Sequence, residues 1–109
     1  MEEKIVADVK IVTIIPRVDA ANAKTVETQL NDIINGGTRK LVCNFSQNEY
    51  ISSAGLRVFL STLKMMKKSG GEIVLCGLQP YVQEVFDMAG FSQLFTISGS
   101  EDEAVKEFK

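Results

Sequence analysis

Apolar positions along the chain recur with two different periods, and each change of period marks an element. Residues 4–7 (Lys-Ile-Val-Ala) predict a short edge strand, and Asp8 marks a tight turn. Val9 to Ile15 alternates and is rich in Val and Ile, which predicts a second strand antiparallel to the first. Pro16 ends it, because proline has no N–H for the ladder. The period then lengthens. Ala23, Val26, Leu30, Ile33 and Ile34 mark one face of a helix, with Lys24, Glu27, Thr28, Asn31 and Asp32 over the rest. Asp19 or Asn22 can cap this helix, and Gly36-Gly37 stops it. Leu41 to Phe45 is apolar apart from Asn44, the pattern of a parallel strand covered on both faces. Leu56, Phe59, Leu60, Leu63 and Met66 predict a second helix from about Ala54 to Ser69, ended by Gly70-Gly71. Its outward stripe is Arg57, Ser61, Lys64 and Lys68. Ile73 to Cys76 predicts another buried strand, and Pro80 suits the first turn of a third helix. In that helix Val82, Val85, Phe86 and Ala89 face inward, and Gly90 closes it. Phe95 to Ile97 predicts a short last strand, and Glu101 to Lys109 a terminal helix through Ala104, Val105 and Phe108.

The predicted order is β-β-α-β-α-β-α-β-α. Strands alternating with helices imply an α/β fold: a mostly parallel, mixed sheet of about five strands with about four helices. No repeat, low-complexity tract or linker divides the 109 residues, so residues 1–109 are expected to form a single domain. A chain of this size buries roughly 65% of its unfolded surface, enough for a core without disulfide staples.

Composition narrows the function classes. The net charge is −2 with no concentrated basic patch, which argues against direct nucleic-acid binding. The apolar runs are far shorter than a membrane span, and Met1-Glu2-Glu3-Lys4 is unlike a signal peptide, so a cytoplasmic protein without membrane association is expected. The two cysteines, Cys43 and Cys76, lie in apolar strand runs and are expected to be buried free thiols. The chain has no histidine, which removes Ser-His and Cys-His nucleophiles and histidine metal sites. No phosphate-cradling loop follows Gly70-Gly71, and no carboxylate pair is spaced for acid-base chemistry. A small α/β domain without catalytic apparatus is expected to be an interaction module, not an enzyme.

The stretch Tyr50-Ile51-Ser52-Ser53-Ala54-Gly55-Leu56 joins the central strand's exit to the second helix. Serine here caps a helix through its hydroxyl. A phosphate at the same place would meet the free N–H groups and the positive end of the helix dipole. Cap and phosphorylatable switch are both open readings of these residues alone. Asp19 is in one reading a turn or cap aspartate. In another it lies at the sheet end where Ser53 emerges, the edge where open α/β sheets place their sites. Arg57, Lys64 and Lys68 form either a solvated face or part of a partner surface.

Taken together, these residues resemble the bacterial anti-sigma factor antagonists, single-domain members of the STAS family. Ile51-Ser52-Ser53-Ala54-Gly55-Leu56 is similar to the family's phosphoacceptor motif, Gly70-Gly71-Glu72 to its second crossover, and Val85 to Phe91 to its third-helix signature. By this resemblance Ser53 is the phosphoacceptor. Asp19, Asn22, Ser52, Ala54, Gly55 and Arg57 flank it as partner-binding positions. The chain departs from the family pattern at Pro16, where glycine is common, at Asn44, where an acidic residue is frequent, and at Ser52, where aspartate is frequent. The resemblance implies a partner switch. The dephosphorylated protein binds an anti-sigma factor that is also an ATP-dependent serine kinase, and phosphorylation of Ser53 releases it. A metal-dependent serine phosphatase resets the cycle. Nucleotide and metal belong to the partners, so no cofactor is expected on this chain. Two other readings stay open: a STAS subunit regulating another system, such as a two-component output, a lipid-transport complex or a signalling scaffold, and a small nucleotide-binding protein.

Overall fold

Leu41 and Cys43 point to one side of the sheet and Val42 to the other, and their strand lies at its centre. A computed structural model describes residues 1–108 of the chain. Its main sheet joins β1 (Glu3–Val6), β2 (Val9–Thr13), β4 (Lys40–Asn44), β6 (Glu72–Cys76) and β7 (Thr96–Ser98), in the order β1-β2-β4-β6-β7. β1 runs antiparallel to β2, and the other pairings are parallel. A second, two-stranded parallel sheet joins β3 (Arg17–Val18) to β5 (Tyr50–Ile51). The helices are α1 (Ala23–Asn35), α2 (Ser53–Lys68), α3 (Pro80–Met88) and α4 (Glu101–Lys106).

The α/β class, the five-stranded mixed sheet and the four helices agree with the sequence pattern. The pair β3–β5 is new, because two-residue strands are too short to show a period. The second strand ends at Thr13, before Pro16, although the Ile14 amide still bonds the Asn44 carbonyl at 2.9 Å. The first strand lies one residue earlier than expected. Ala7 and Asp8 both take positive φ, 49° and 65°, so both form the hairpin turn. The last strand lies one residue later, because the buried Phe95 side chain leaves the ladder for the core. Ala89 is exposed, contrary to the helical face read for it, because α3 has already ended and Gly90 follows in the left-handed region. There Asp87 accepts from Gln83 and Ser92, tying α3 to the 3-10 turn Phe91–Gln93. The terminal helix stops at Lys106; the expected end, Lys109, lies outside the described residues.

Alternation along the strands makes two cores. Val12, Leu41, Cys43, Ile73 and Leu75 face α1, α2 and α3, while Val9, Ile11, Val42, Val74 and Cys76 face α4 through Ala104, Val105 and Phe108. The larger core centres on Phe45, directly after β4. Its ring lies 5.0 Å from Phe59 of α2 and 5.8 Å from Phe86 of α3, centroid to centroid. These contacts anchor both helices beside the carboxyl end of the sheet. α4 is held by Ser100, whose hydroxyl accepts from the Glu103 amide, and by Glu101, which pairs with Lys4 at 2.8 Å and accepts from Asn44. Lys4 holds the Glu101 carboxyl below its ordinary pKa, with Asn44 adding to the effect.

Cys43 and Cys76 are free and buried on opposite faces of the sheet. Burial raises both thiol pKa values, that of Cys76 to about 11. Both thiols are therefore predicted to resist alkylation at neutral pH until the chain unfolds, and labelling followed by intact mass checks this. Phe45→Ala should destabilise the fold by about 3–5 kcal/mol, read from chemical denaturation, because the aromatic cluster cannot collapse into the space left.

Candidate functional site

The β3–β5 pair brings two distant stretches of chain side by side. Arg17 lies opposite Tyr50, and Val18 opposite Ile51. The pairing runs one step further, since the Ser52 amide donates to the Val18 carbonyl at 2.9 Å. Asp19 therefore leaves its strand level with Ser52. Val18 and Ile51 are buried, so strand alternation turns Arg17, Asp19, Tyr50 and Ser52 to the outer side. The loop feeding β5 is tied to that feeding β3 through Asn48. Its fully buried side-chain NH2 donates to the carbonyls of Ile15, Pro16 and Tyr50 at 2.9, 3.4 and 3.1 Å.

Ser52 caps α2. Its hydroxyl accepts from the Gly55 amide at 3.2 Å. Ser53 is the first helical residue and is exposed. The amides of Ser53 and Ala54 head the helix, where an α-helix has no carbonyl to offer them, and the dipole adds positive potential. Ala54 is half-buried, and Arg57 is exposed one turn further along. Gly55 is buried, and close approach accounts for it. A Cβ there would lie 2.8 Å from Cγ1 of Ile51, 2.9 Å from Cγ1 of Val18 and 3.2 Å from the Val18 carbonyl oxygen.

Asn22 is the N-cap residue of α1 but its side chain makes no cap bond, and the Asp19 carboxylate binds the turn just before the helix instead. One carboxylate oxygen accepts from the amides of Ala21 and Asn22 at 3.0 and 3.2 Å. The other accepts from Nε of Arg17 at 2.8 Å. Asn22 answers by accepting from the Asp19 amide at 2.9 Å and donating to the Arg17 carbonyl at 2.8 Å. The Arg17 hydrogen bond, with the two backbone N–H groups, holds the Asp19 carboxyl below its ordinary pKa. Arg17 also lies over the Tyr50 ring, 4.2 Å from its centroid, and Tyr50 stacks on Tyr81 with centroids 6.4 Å apart and planes 14° apart.

The structure thus gathers Asp19, Asn22, Ser52, Ser53, Ala54 and Gly55 at one edge, with Arg57 on the adjoining helix face. The sequence pattern assigned no role to Arg17, Asn48, Tyr50 or Tyr81, although Tyr50 opens the stretch that carries the two serines. A signal existed for two of them: Arg17-Val18-Asp19 and Tyr50-Ile51-Ser52 are matching polar-apolar-polar triplets. Among the described residues no group of three Cys, Asp or Glu side chains could hold a metal ion. Among the described residues no helix is long and apolar enough to cross a membrane.

The STAS domain model matches residues 1–104. The chain belongs to the STAS domain family. Within that family its relatives are anti-sigma factor antagonists. It is 41% identical over 92 residues to BtrV of Bordetella bronchiseptica, a candidate anti-sigma factor antagonist, covering 84% of this chain and 79% of that one. It is 30% identical over 95 residues to the anti-sigma-B factor antagonist of Bacillus subtilis, covering 87% of this chain and 86% of that one. The crystal structure of a candidate anti-sigma factor antagonist from Thermotoga maritima superposes with a TM-score of 0.90 at 28% identity, covering 97% and 92% of the two chains. The resemblance drawn from the motifs of this STAS domain is thereby confirmed.

Two predictions test the geometry. Gly55→Ala gains about 1 kcal/mol of helix propensity but forces an overpacked contact costing about 1–3 kcal/mol, so a net loss of stability is expected on denaturation. Asp19 has a depressed pKa in the folded chain, so its contribution is present above the ordinary carboxylate value and is lost as pH falls through the lower folded value. Acid titration of the melting temperature should therefore show a fall beginning near pH 4, about the unperturbed carboxylate value, that is shallower in Asp19→Asn.

Proposed function

We propose that this STAS domain is a partner-switching anti-sigma factor antagonist whose switch residue is Ser53. Dephosphorylated, it binds an anti-sigma factor that is also an ATP-dependent serine kinase. Transfer of the γ-phosphate to the Ser53 hydroxyl ends the complex, and a metal-dependent serine phosphatase restores it. The nucleotide and the metal are the partners', and the chain acts by binding, in the cytoplasm.

The observation that carries this reading is the unequal standing of the two adjacent hydroxyls. Ser52 spends its oxygen on the Gly55 amide, while Ser53 is exposed at the head of the helix. A kinase can reach Ser53 without undoing a cap. The fold tolerates the product, because the free amides and the helix dipole face the added charge. The effect then falls on the interface. A phosphoserine carries about −1.5 to −2 charges. A partner carboxylate about 5 Å away, at an effective dielectric near 20, opposes each charge by about 3 kcal/mol. A total of roughly 4.5–6 kcal/mol weakens binding by about three to four orders of magnitude. Asp19, Asn22, Ala54, Gly55 and Arg57 form the surface around the phosphate in this reading.

The test uses the unphosphorylated chain as bait in a lysate of its own bacterium, followed by ATP and Mg²⁺. The captured protein should elute on ATP addition, with phosphate mapped to Ser53 by mass spectrometry. Ser53→Ala should hold the partner through the ATP wash, and Ser53→Asp should bind it more weakly than the unmodified chain. Phosphate on Ser52 or on neither serine sinks the assignment.

A further inference from the structure

Arg17 stands out because it is a cation held rigid on an exposed edge with most of its donors unspent. Its side chain is about two-thirds exposed, at 64%. Three contacts fix it: the Tyr50 ring beneath the guanidinium, the Asp19 carboxylate on Nε, and the Asn22 amide group on its carbonyl. Among the described residues, Nε is the one guanidinium donor with a hydrogen-bond partner. The two terminal NH2 groups remain, and guanidinium presents its donors in a planar fork suited to two acceptors at once. The register places Arg17 at the edge of the site. Arg17 starts level with Tyr50 and leans toward Asp19, which is level with Ser52 and one residue short of Ser53.

We propose that Arg17 is the built-in counter-ion of the phosphorylated site: its terminal NH2 groups bind the Ser53 phosphate while Nε keeps Asp19. This inference rests on the reading of Ser53 as phosphoacceptor. A phosphate there arrives beside a carboxylate, and two like charges at one edge repel unless a cation stands between them. Arg17 already stands against that carboxylate and needs only its unused donors. Arg57 is the competing cation, one helical turn beyond Ser53. No ring or hydrogen bond fixes Arg57 in the described structure, so it must give up its rotamer freedom to bind, whereas Arg17 has been ordered in advance. Other charged or titratable groups on the elements around the site include Glu49 just before β5 and Tyr50 on it, Lys24 and Glu27 on α1, Lys64, Lys67 and Lys68 further along α2, and Tyr81 and Glu84 on α3. A further consequence concerns partner recognition. A phosphate gripped by Arg17 is added beside the Arg17–Tyr50 face without moving the guanidinium off its ring, so phosphorylation changes shape as well as charge there.

The test separates this inference from the reading beneath it by supplying the phosphate directly. The full chain is prepared with phosphoserine installed at position 53, and intact mass confirms it before any measurement. The second ionisation of the phosphate, about 6 in a free phosphoserine, is followed by phosphorus NMR at low salt. In the otherwise unaltered chain it should lie lower than in the Arg17→Gln variant by about half a unit to one unit, a difference that shrinks in molar salt. Arg17→Lys, which keeps the charge and loses the fork, should fall between the two. The shift on Arg17→Gln should persist when Asp19→Asn is present in both chains, because the contact is direct. Arg57→Gln should move the value less than Arg17→Gln. Equal values with and without Arg17, or a larger shift from Arg57→Gln, overturn the proposal. Neither outcome touches the question of whether a kinase modifies Ser53, which the mass mapping answers on the unmodified chain.

Discussion

The close approach of α2 to β3 at Gly55 is the constraint on which the site depends. The helix starts where it does because residue 55 carries no side chain, which lets its backbone close on the Val18 carbonyl and on the side chains of Val18 and Ile51. That contact lies directly behind Ser52 and Ser53. It fixes the height at which the two serines leave the sheet and brings Asp19 level with them through the Ser52 to Val18 hydrogen bond. Glycine in a first turn gives up about 1 kcal/mol of intrinsic helix propensity. The surrounding core offsets this, since the Phe45, Phe59 and Phe86 rings anchor the same helix from inside.

Local hydrogen bonding around this edge leaves one hydroxyl uncommitted. Asp19 satisfies two amides and a guanidinium, Asn22 returns a bond to the Asp19 backbone, and Ser52 caps its own helix. Every polar group spent in this way is also held in place, so the surface around Ser53 is ordered before anything binds, which reduces the entropy lost on association. The charge at the edge is balanced as well. Asp19 faces Arg17, and the head of α2 is positive through its amides. Added negative charge at Ser53 therefore acts on a site whose fields are already set, rather than on a flexible loop.

The two cores divide the labour between stability and position. The larger one, with three aromatic rings at its centre, orients α2 and α3 against the carboxyl end of the sheet. The smaller one, under α4, closes the opposite face and lies away from the site. Each cysteine belongs to one core and neither to the functional edge, as expected of thiols that act as small apolar groups.

Much of this was legible in the chain itself. The 3.6-residue recurrence of Val26, Leu30 and Ile34, and of Leu56, Phe59, Leu63 and Met66, specifies helices because burying an apolar stripe is the dominant local free energy. The unbroken run Leu41 to Cys43 specifies a strand covered on both faces. Paired serines before a small residue and glycine mark a helix start, and hence a candidate site, through the chemistry of capping. What the sequence could not supply was the pairing of Arg17-Val18 with Tyr50-Ile51, separated by the whole of α1 and β4. Strands of two residues carry no period, and their register comes from hydrogen bonds and from the buried Asn48 that ties their approaches together. The partners of Asp19, the stacking of Arg17 on Tyr50 and Tyr50 on Tyr81, and the reason for glycine at 55 follow from that pairing. They depend on atoms brought within a few ångströms by the fold, and tertiary structure alone decided them.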